Sequence, residues 1–308
     1  MITAYPDYYK DFACIASACR HSCCIGWEID IDPVSAERYK NTGGALGEKM
    51  CRCIDFASEQ PHFILGEDER CPFLNENNLC EIILAMGEDA ISDICTDHPR
   101  FRTYLSERTE IGLGLCCEEA ARLVLTWDKP MNVLEEGEGE YTPDEDYLMD
   151  LREEIFEIMN RDSLPLLRRM WAVMGLCDGA MPSKNMAQWS HFFMGLERLD
   201  EAWEECIIRL GRSHLEERDI EEFMEGHKKP FGNLFNYFIY RHLFSALDDG
   251  DIPSKLFFAY LSCRVIAVLC MTDPAPHELK TMIEYARMYS SEIEYSDENL
   301  ELIFAELK

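Results

Sequence analysis

Four cysteines lie within fourteen residues near the start of the chain, in Cys14-Ile15-Ala16-Ser17-Ala18-Cys19-Arg20-His21-Ser22-Cys23-Cys24-Ile25-Gly26-Trp27. The chain of 308 residues contains fifteen cysteines, and eleven of them precede residue 118. This region shows little helical or strand periodicity, so it needs a cross-link, and a bound metal can contribute about 10–16 kcal/mol to the folding of a small domain. The pattern predicts a cysteine-rich, metal-binding amino-terminal domain.

The expected compartment argues against disulfides. The first residues lack the basic and apolar regions of a signal peptide, and no run of eighteen apolar residues is without charge, since even residues 256–271 contain Arg264. We therefore expect a cytoplasmic protein without membrane insertion, in which cysteines bind metal more often than they pair with one another. The four later cysteines fall in helical patterns and are expected in the core: Cys177, Cys206, Cys263 and Cys270.

Three groups of cysteines could supply metal ligands. They are the opening run, then Cys71, Cys80 and Cys95, and finally the pair Cys116-Cys117. Thiolates suit zinc and iron–sulfur clusters equally well, and no histidine recurs at zinc-finger spacing. These residues leave the identity of the metal open, and the short motif Cys51-x-Cys53 fits either a ligand pair or ordinary packing.

The charge of the chain restricts its partners. With 59 acidic and 29 basic side chains, the formal net charge is −30. Such a surface repels phosphate backbones, so we expect no nucleic-acid partner. The same charge would steer a lysine-rich protein toward the surface, although acidic side chains also serve simple solubility.

An acidic segment divides the chain. Residues 129–146, which include Glu135-Glu136-Gly137-Glu138-Gly139-Glu140, predict a linker or loop between a cysteine-rich domain, residues 1–128, and a helical domain, residues 147–308. Before the linker, the alternation in residues 27–32 predicts a strand, and Asp32-Pro33 predicts the start of a short helix. The spacing of Leu79, Ile82, Ile83 and Met86 predicts a helix with Cys80 in its first turn.

Beyond the linker, apolar residues recur at helical spacing. Stripes fall within residues 148–158, 166–174, 189–199, 234–243, 256–271, 282–289 and 300–307. They predict a bundle of roughly seven or eight helices. The expected fold is therefore mainly α, with a cysteine-rich metal-binding domain that contains short strands and packs on a carboxy-terminal helical bundle.

Several of these motifs resemble a known family. The opening cysteines, Cys71-Pro72-Phe73-Leu74 with Cys80, and Cys95 with Pro99-Arg100 resemble the CxxCxxCC zinc- or iron-chelating domain family. Residues 23–32 and Leu113-Gly114-Leu115-Cys116-Cys117 resemble the flagellin lysine-N-methylases, as does Asn233-Leu234-Phe235-Asn236-Tyr237-Phe238-Ile239-Tyr240-Arg241. The resemblance is strong over residues 12–117 and weaker beyond.

The resemblance implies transfer of a methyl group from S-adenosylmethionine to lysine side chains of flagellin, with a [4Fe–4S] cluster involved and zinc as the alternative metal. The metal-binding positions that match are Cys14, Cys19, Cys23, Cys24, Cys71, Cys80, Cys95 and Cys117. Four and three residues separate the first cysteines, where the name of the domain family has two and two. The CxxxCxxC motif of radical S-adenosylmethionine enzymes is absent, because position 26 is glycine.

Lysine methylation requires an uncharged amine, so the site should offer a tyrosine, a carboxylate or a desolvating pocket. Tyr104 and Arg100 are the candidate catalytic residues, and Trp27, Tyr240 and Arg241 are the candidate cofactor-binding residues. For the aromatic residues, core packing is an alternative role. No glycine-rich loop follows a strand in the manner of a Rossmann nucleotide site.

Two other functions are compatible with the same cysteines. One is a zinc-stabilised, non-enzymatic interaction module, in which the metal only holds a binding surface together. The other is an iron–sulfur protein for redox sensing or electron transfer. The colour and metal content of the purified protein separate these alternatives from each other.

Overall fold

The structure, a computed structural model, describes residues 1–179, 183–275 and 279–308. Within these ranges the protein is mainly α-helical, as the sequence predicts, with one four-stranded and one two-stranded sheet. The chain forms two compact units. The cysteine-rich unit is Ala13–Phe101, and the helical unit is Met1–Phe12 together with Arg102–Lys308. No disulfide joins any of the fifteen cysteines, all of which lie in the described ranges.

The elements are as follows. The strands are β1 (Ile2–Pro6), β2 (Ile54–Asp55), β3 (His62–Phe63), β4 (Arg100–Tyr104), β5 (Arg108–Leu113) and β6 (Val133–Glu136). The helices are α1 (Pro33–Lys40), α2 (Gly44–Cys53), α3 (Glu81–Met86), α4 (Asp93–Asp97), α5 (Glu118–Thr126), α6 (Pro143–Met159), α7 (Leu166–Met174), α8 (Met186–Phe193), α9 (Glu201–Arg212), α10 (Glu217–Gly226), α11 (Lys228–His242), α12 (Ala246–Asp249), α13 (Ile252–Thr272), α14 (Leu279–Tyr289) and α15 (Asp297–Leu307). A π-helical turn, Ser290–Glu294, continues α14.

The units divide the chain at other positions than the sequence predicts. We expected boundaries at residues 128 and 146, but residues 102–128 and the first twelve residues pack with the helices. The cause is β1, which pairs in parallel with β5 and antiparallel with β6. The partners of β1 are far away in the sequence, and a strand of five residues is too short to show a clear periodic pattern. The sequence therefore could not predict that the first residues belong to the helical unit.

The segment at residues 129–146 is not a linker. The strand order of the four-stranded sheet is β4-β5-β1-β6, so part of this segment forms an edge strand. The segment then enters α6, whose first turn is closed by a capping box in which Thr142 and Glu145 satisfy each other's backbone N–H groups. Its acidic composition is that of an exposed edge strand, which is why it looked like a solvated loop.

The cysteine-rich unit is built on a small apolar core. Its buried members are Ile29, Ile31, Ala36, Tyr39, Met50, Ile54, Phe63, Cys71, Phe73, Leu74, Ile82 and Ala90. The predicted strand at residues 27–32 has the expected alternation, with Ile29 and Ile31 buried and Asp30 exposed. It forms only an isolated bridge between Asp30 and His62, because its partner β3 is two residues long. The prediction of a strand was therefore wrong, whereas the prediction that Ile29 and Ile31 face inward is confirmed.

Two helices of this unit were predicted. The first, α1, begins where expected, and the Asp32 carboxylate accepts a hydrogen bond from the Ser35 N–H at 2.8 Å. The second, α3, is shorter than predicted. Cys80 is its N-cap rather than part of its first turn, Ile82 is its buried residue, and Met86 is exposed. The helix stops after six residues because Gly87 takes a positive φ of 90°.

A buried ionic network supports the sheet of the helical unit. Arg108 and Glu110 lie on β5, and the Arg108 Nε donates to Glu110 Oε1 at 2.7 Å. Arg152 of α6 donates to the same carboxylate through both of its terminal nitrogens. Burial raises the pKa of Glu110, but the two guanidinium groups outweigh it and hold the pKa below the usual range. The carboxylate therefore stays charged inside the protein.

The longest helix, α13, is a core helix. In the described ranges it is the one helix long and apolar enough to cross a bilayer, yet every residue from Ser254 to Cys270 except Arg264 is buried within the protein. The buried helix that the sequence predicts is thus confirmed. It packs against α11, α14 and α15. The sequence missed α9 and α10 as separate helices because acidic residues interrupt their short apolar stripes.

Candidate functional site

Three segments of the cysteine-rich unit bring cysteines together. The Cys71 N–H donates to the carbonyl oxygen of Cys24 at 2.8 Å, which joins the opening run to the second group. Cys80 is tied to the same region through an isolated bridge with Leu74. Cys95, on α4, packs against the same core together with Cys24 and Cys80. We call Cys23, Cys24, Cys71, Cys80 and Cys95 the thiol group.

The thiols of this group act on one another electrostatically. Burial, together with a smaller effect of negative charge on Cys24, raises the pKa of Cys71 to about 12 and that of Cys95 to about 11. The pKa of Cys80 is also raised by burial and then by Cys24. The Cys23 thiol donates to Cys24 and lowers the pKa of Cys24 to about 7, with help from Ser22 and Arg70. The hydrogen bond from Cys23 therefore favours the thiolate form of Cys24 within the group.

The remaining predicted ligands are Cys14, Cys19 and Cys117. Cys14 is exposed, and its sulfur accepts a hydrogen bond from the Ala16 N–H at 3.4 Å. The Cys19 thiol donates to the His21 carbonyl oxygen at 3.3 Å. Cys117 belongs to the helical unit, where it is the N-cap of α5. Cys14 nevertheless lies within electrostatic range of Cys23, whose pKa it helps to raise, so the structure brings Cys14 near the five thiols of the group.

The thiol group can be compared with the metal centre that the sequence predicts. Across residues 1–179, 183–275 and 279–308, no three His, Cys, Asp or Glu side chains stand close enough together to hold a metal ion as they are. The donors nevertheless have the right chemistry, because several thiols at one place are the ligands that zinc and iron–sulfur clusters take. If a centre forms, Cys24, Cys71, Cys80 and Cys95 are the residues that would hold it.

The other predicted residues of this region have defined surroundings. The Trp27 indole N–H donates to the Cys23 carbonyl oxygen at 2.7 Å, and its ring lies 6.4 Å from that of His98. Arg100 donates to the Thr96 carbonyl oxygen at 2.9 Å. Tyr104 is 74% exposed at the end of β4. Trp27 is therefore positioned beside the thiol group. Arg100 belongs to the same unit, whereas Tyr104 belongs to the helical unit.

The helical unit contains a second polar centre, which we call the tyrosine–carboxylate centre: Tyr237, Arg241, His242 and Glu294. The Tyr237 hydroxyl donates to Glu294 Oε2 at 3.0 Å and accepts from Arg241 Nη1 at 2.8 Å. Arg241 also donates through Nη2 to the Glu294 carbonyl oxygen at 3.1 Å, and its Nε lies 3.3 Å from Glu294 Oε1. His242 Nε2 lies 2.7 Å from the same carboxylate oxygen. All four side chains are buried or nearly so.

This centre holds the turn that precedes α5, residues 114–117. The Leu115 N–H donates to the Tyr237 hydroxyl at 3.3 Å. Gly114 packs so closely that a Cβ there would clash with the Tyr295 phenol oxygen. Tyr295 forms a hydrogen bond with the Cys116 thiol, whose pKa burial raises to about 12, and the Arg241 guanidinium lies 4.8 Å from the centre of the Tyr295 ring. Buried polar and charged side chains of the tyrosine–carboxylate centre thus hold the Leu113–Cys117 motif in place.

Tyr240 has a different environment from its neighbour Arg241. Its hydroxyl contacts the carbonyl oxygens of Ala4 and Ile111 at 3.3 and 3.1 Å, so it joins α11 to the sheet.

Glu294 and Tyr295 were not predicted from the sequence as functional residues. Glu294 ends a π-helical turn and Tyr295 follows it, so neither residue belongs to an apolar stripe. The one signal in the sequence is an acidic residue, Glu294, among aromatic residues.

The comparisons with known proteins agree with the resemblance seen in the motifs. Residues 100–308 match the model of the FliB lysine N-methylase C-terminal domain. The match falls mainly where the motif resemblance was weaker, since it begins only after the thiol group. No solved structure matches the chain.

Three curated relatives are similar to part of the chain. The lysine-N-methylases of Salmonella choleraesuis and Salmonella typhimurium are each 30% identical to it over 134 residues, which cover 39% of this chain and 31% of theirs. The flagellar biosynthetic protein FliU of Salmonella muenchen is 26% identical over 126 residues, 39% of this chain and 75% of its own. The matched region thus spans about a third of the two methylases. On the strength of the match over residues 100–308, the chain belongs to the FliB lysine N-methylase family.

Proposed function

We propose that this protein transfers methyl groups from S-adenosylmethionine to lysine side chains of flagellin, in the cytoplasm. The observation that carries the proposal is the match of residues 100–308 to the lysine N-methylase domain, which contains the whole tyrosine–carboxylate centre. Two of the relatives are named lysine-N-methylases and a third is named a flagellar biosynthetic protein. These names support a flagellar protein as substrate.

The chemistry needs an uncharged lysine amine. The nitrogen lone pair forms the new N–C bond while the methyl–sulfur bond of the sulfonium breaks and its electron pair returns to sulfur. One proton must leave the amine, to a residue or to water. S-Adenosylmethionine, when bound, supplies the activated methyl group. The tyrosine–carboxylate centre is a group of buried polar side chains within the matched domain.

The thiol group supports a metal centre in the same protein. We infer a [4Fe–4S] cluster, with zinc as the alternative, held by Cys24, Cys71, Cys80 and Cys95. Two observations support this inference. Soft thiolates are suitable ligands for these metals, and a unit with so small an apolar core would be stabilised by a bound metal. A cluster would bring redox or Lewis-acid chemistry, whereas zinc would stabilise the fold.

The charge of the protein supports a basic substrate. The net charge of −30 would raise the local concentration of a lysine-bearing protein, and the effect would weaken with salt. A rate of methylation that falls steeply as salt rises is therefore expected. A rate independent of salt would remove electrostatic steering from the proposal while leaving the reaction itself intact.

The proposal is tested by an anaerobic purification, followed by metal and sulfide analysis and an assay with radiolabelled S-adenosylmethionine and purified flagellin. Label on flagellin lysines, located by mass spectrometry, is the expected result. Iron and sulfide at about four each per chain support the cluster. A colourless protein with stoichiometric zinc and no label on flagellin would instead support the interaction module. Iron and sulfide without label would support an electron-transfer protein.

A further inference from the structure

The four-stranded sheet of the helical unit ends at β6, which pairs with β1 on one side only among the described residues. Two hydrogen bonds show which positions of β6 are bonded to β1. The Asp7 N–H donates to the Asn132 carbonyl oxygen at 2.9 Å, and the Met1 ammonium group donates to the Glu138 carbonyl oxygen at 2.7 Å. Both pairs continue the register of the ladder. Bonded and non-bonded pairs alternate in an antiparallel ladder, so the bonded positions of β6 are 134 and 136.

The other two residues of β6, Val133 and Glu135, therefore direct their backbone N–H and C=O groups away from β1. Among the described residues, no other backbone group bonds to theirs. The chain after β6 does not run along this edge, because the Glu140 N–H donates to the Glu107 carboxylate at 3.1 Å, just before β5. Leu134, between the two residues, is 44% exposed. We call the outward side of β6 the open edge, and it is accessible to another chain.

The side chains along the open edge are mostly acidic. The Glu135 and Glu136 side chains are exposed, although they pair with Arg108 and Lys10. Arg108 is also shared with Glu110. Exposed glutamates lie in the edge or at its end at positions 107, 135, 136, 138 and 140. The open edge thus combines unpaired backbone groups with an excess of negative charge around one exposed apolar residue.

These charges determine which partner can pair with β6. Like charges directly opposite each other destabilise a strand pair, so the open edge disfavours a second copy of itself. It attracts a strand that carries lysine side chains. Resting on the proposed lysine methylation, we propose that an extended, lysine-bearing segment of the protein substrate adds to β6 as a further antiparallel strand. In this mode of recognition, backbone hydrogen bonds supply affinity and the alternating side chains supply specificity.

The register of β6 defines the segment that fits. In an antiparallel pair, successive residues of the partner lie opposite Glu136, Glu135, Leu134 and Val133. Two lysines followed by two apolar residues therefore place each charge opposite a carboxylate and each apolar side chain opposite another. The second and fourth of these partner residues direct their N–H groups to β6, and the first and third direct theirs to solvent. The docked lysines serve binding, and the methylated lysine can lie elsewhere in the substrate.

The first test uses the full-length protein and short blocked peptides that contain two lysines followed by two valines. One peptide is unmodified, one is N-methylated at the second and fourth of these residues, and one at the first and third. All three have the same charge, so attraction to the acidic surface alone would bind them equally. We expect methylation at the second and fourth residues to weaken binding by about ten-fold or more, because hydrogen bonds to β6 are lost. The peptide methylated at the first and third residues should bind as the unmodified one does.

Hydrogen exchange locates the bound peptide. The Val133 and Glu135 amides, which point outward, should exchange fast in the free protein and slowly with the unmodified peptide bound. The Leu134 and Glu136 amides, which bond to β1, should be protected in both states. Methylation of the first and third peptide residues should leave this protection unchanged.

A variant of the protein tests the same bonds from the other side. Val133→Pro removes an outward N–H without removing a bond to β1, a position where an edge strand tolerates proline. We expect it to bind the unmodified peptide about ten-fold more weakly and to have a higher KM for flagellin, with kcat near that of wild type. Val34→Pro is the control, since Val34 is an exposed valine in the first turn of α1, where proline is also tolerated. Thermal unfolding of both variants measures whether the fold is kept, and the peptide comparison decides the point if Val133→Pro does not fold.

The outcomes separate docking from catalysis. Equal binding of the two N-methylated peptides, or unchanged exchange at Val133 and Glu135, overturns strand addition to the open edge. Weaker peptide binding by Val133→Pro with an unchanged KM for flagellin overturns the assignment of the substrate to this edge. A wild-type protein that binds the peptide as described but methylates no lysine overturns the proposed function and leaves the open edge as a binding site for a lysine-bearing strand.

Discussion

The backbone N–H of Leu115 donates to the hydroxyl of Tyr237 at 3.3 Å, although the two residues are 122 positions apart. This bond joins the turn before α5 to the middle of α11. Through Glu294, the same hydroxyl is also connected to the π-helical turn after α14. Three distant parts of the helical unit therefore share one buried phenol, and several consequences can be measured.

The Arg108–Glu110–Arg152 network should be sensitive to loss of its charge. We expect Glu110→Gln to lower the free energy of unfolding by about 3–5 kcal/mol, because the buried Arg152 guanidinium loses its counter-charge, while Arg108 keeps Glu135 as a partner. Urea denaturation measures the effect. The control is Glu136→Gln, which removes an exposed ion pair with Lys10 and should change stability little. Equal stability of the two variants would contradict the role of the network.

Gly114 should not tolerate a side chain. In Gly114→Ala the new Cβ would clash with the Tyr295 phenol and lie 3.2 Å from Arg241 Nη1. We expect a loss of about 1–3 kcal/mol in thermal or urea unfolding, as in other overpacked sites. Gly226→Ala, where no atom lies within 4 Å of the added Cβ, should be neutral or slightly stabilising. A Gly114→Ala protein as stable as wild type would show that the turn is not held as described.

His242 should make stability depend on pH. Burial lowers its pKa, Glu294 opposes the shift, and the charges of Arg241 and Lys255 reinforce it. As the pH falls below about 6.5, His242 is protonated in the unfolded chain but stays uncharged in the folded protein. The free energy of unfolding therefore decreases below about pH 6.5. Glu294, whose pKa is lowered, contributes a further loss only below about pH 4.3.

The measurement for this prediction is the free energy of unfolding in urea at pH 7.5 and pH 5.5. The decrease between the two should be smaller in His242→Gln than in wild type, whatever the stability of the variant at pH 7.5. His191→Asn, which changes an exposed histidine on α8, should show the wild-type decrease. The same decrease in all three proteins would mean that His242 does not resist protonation.

The thiol group should carry the metal, and the core cysteines should not. Cys71→Ser is expected to lose most of the metal bound after anaerobic purification, since it removes a ligand from the proposed centre. Cys263→Ser changes a thiol that is fully buried in α13 and should keep the wild-type metal content. The metal content of both variants and of the wild-type protein is measured by mass spectrometry. Retention of wild-type metal by Cys71→Ser would exclude that residue as a ligand.

Much of the architecture could be predicted from local patterns. The long stripes that became α6, α11 and α13 bury the residues that the helical period selects, such as Leu148, Ile155 and Phe238. The mainly α class followed from them. Short elements were predicted less well, because a two-residue strand or a six-residue helix does not repeat its pattern often enough to be distinguished from a loop.

The sequence was sufficient to identify the cysteine-rich region, the acidic character, the core helix at residues 256–271 and the family, since each depends on residue type and local spacing. Which distant groups meet was decided by the tertiary structure. The pairing of β1 with β5 places the first residues in the helical unit. The placement of Glu294 against Tyr237 and Arg241 creates the tyrosine–carboxylate centre. Such contacts arise from packing of whole elements, and a single sequence carries no local signal for them.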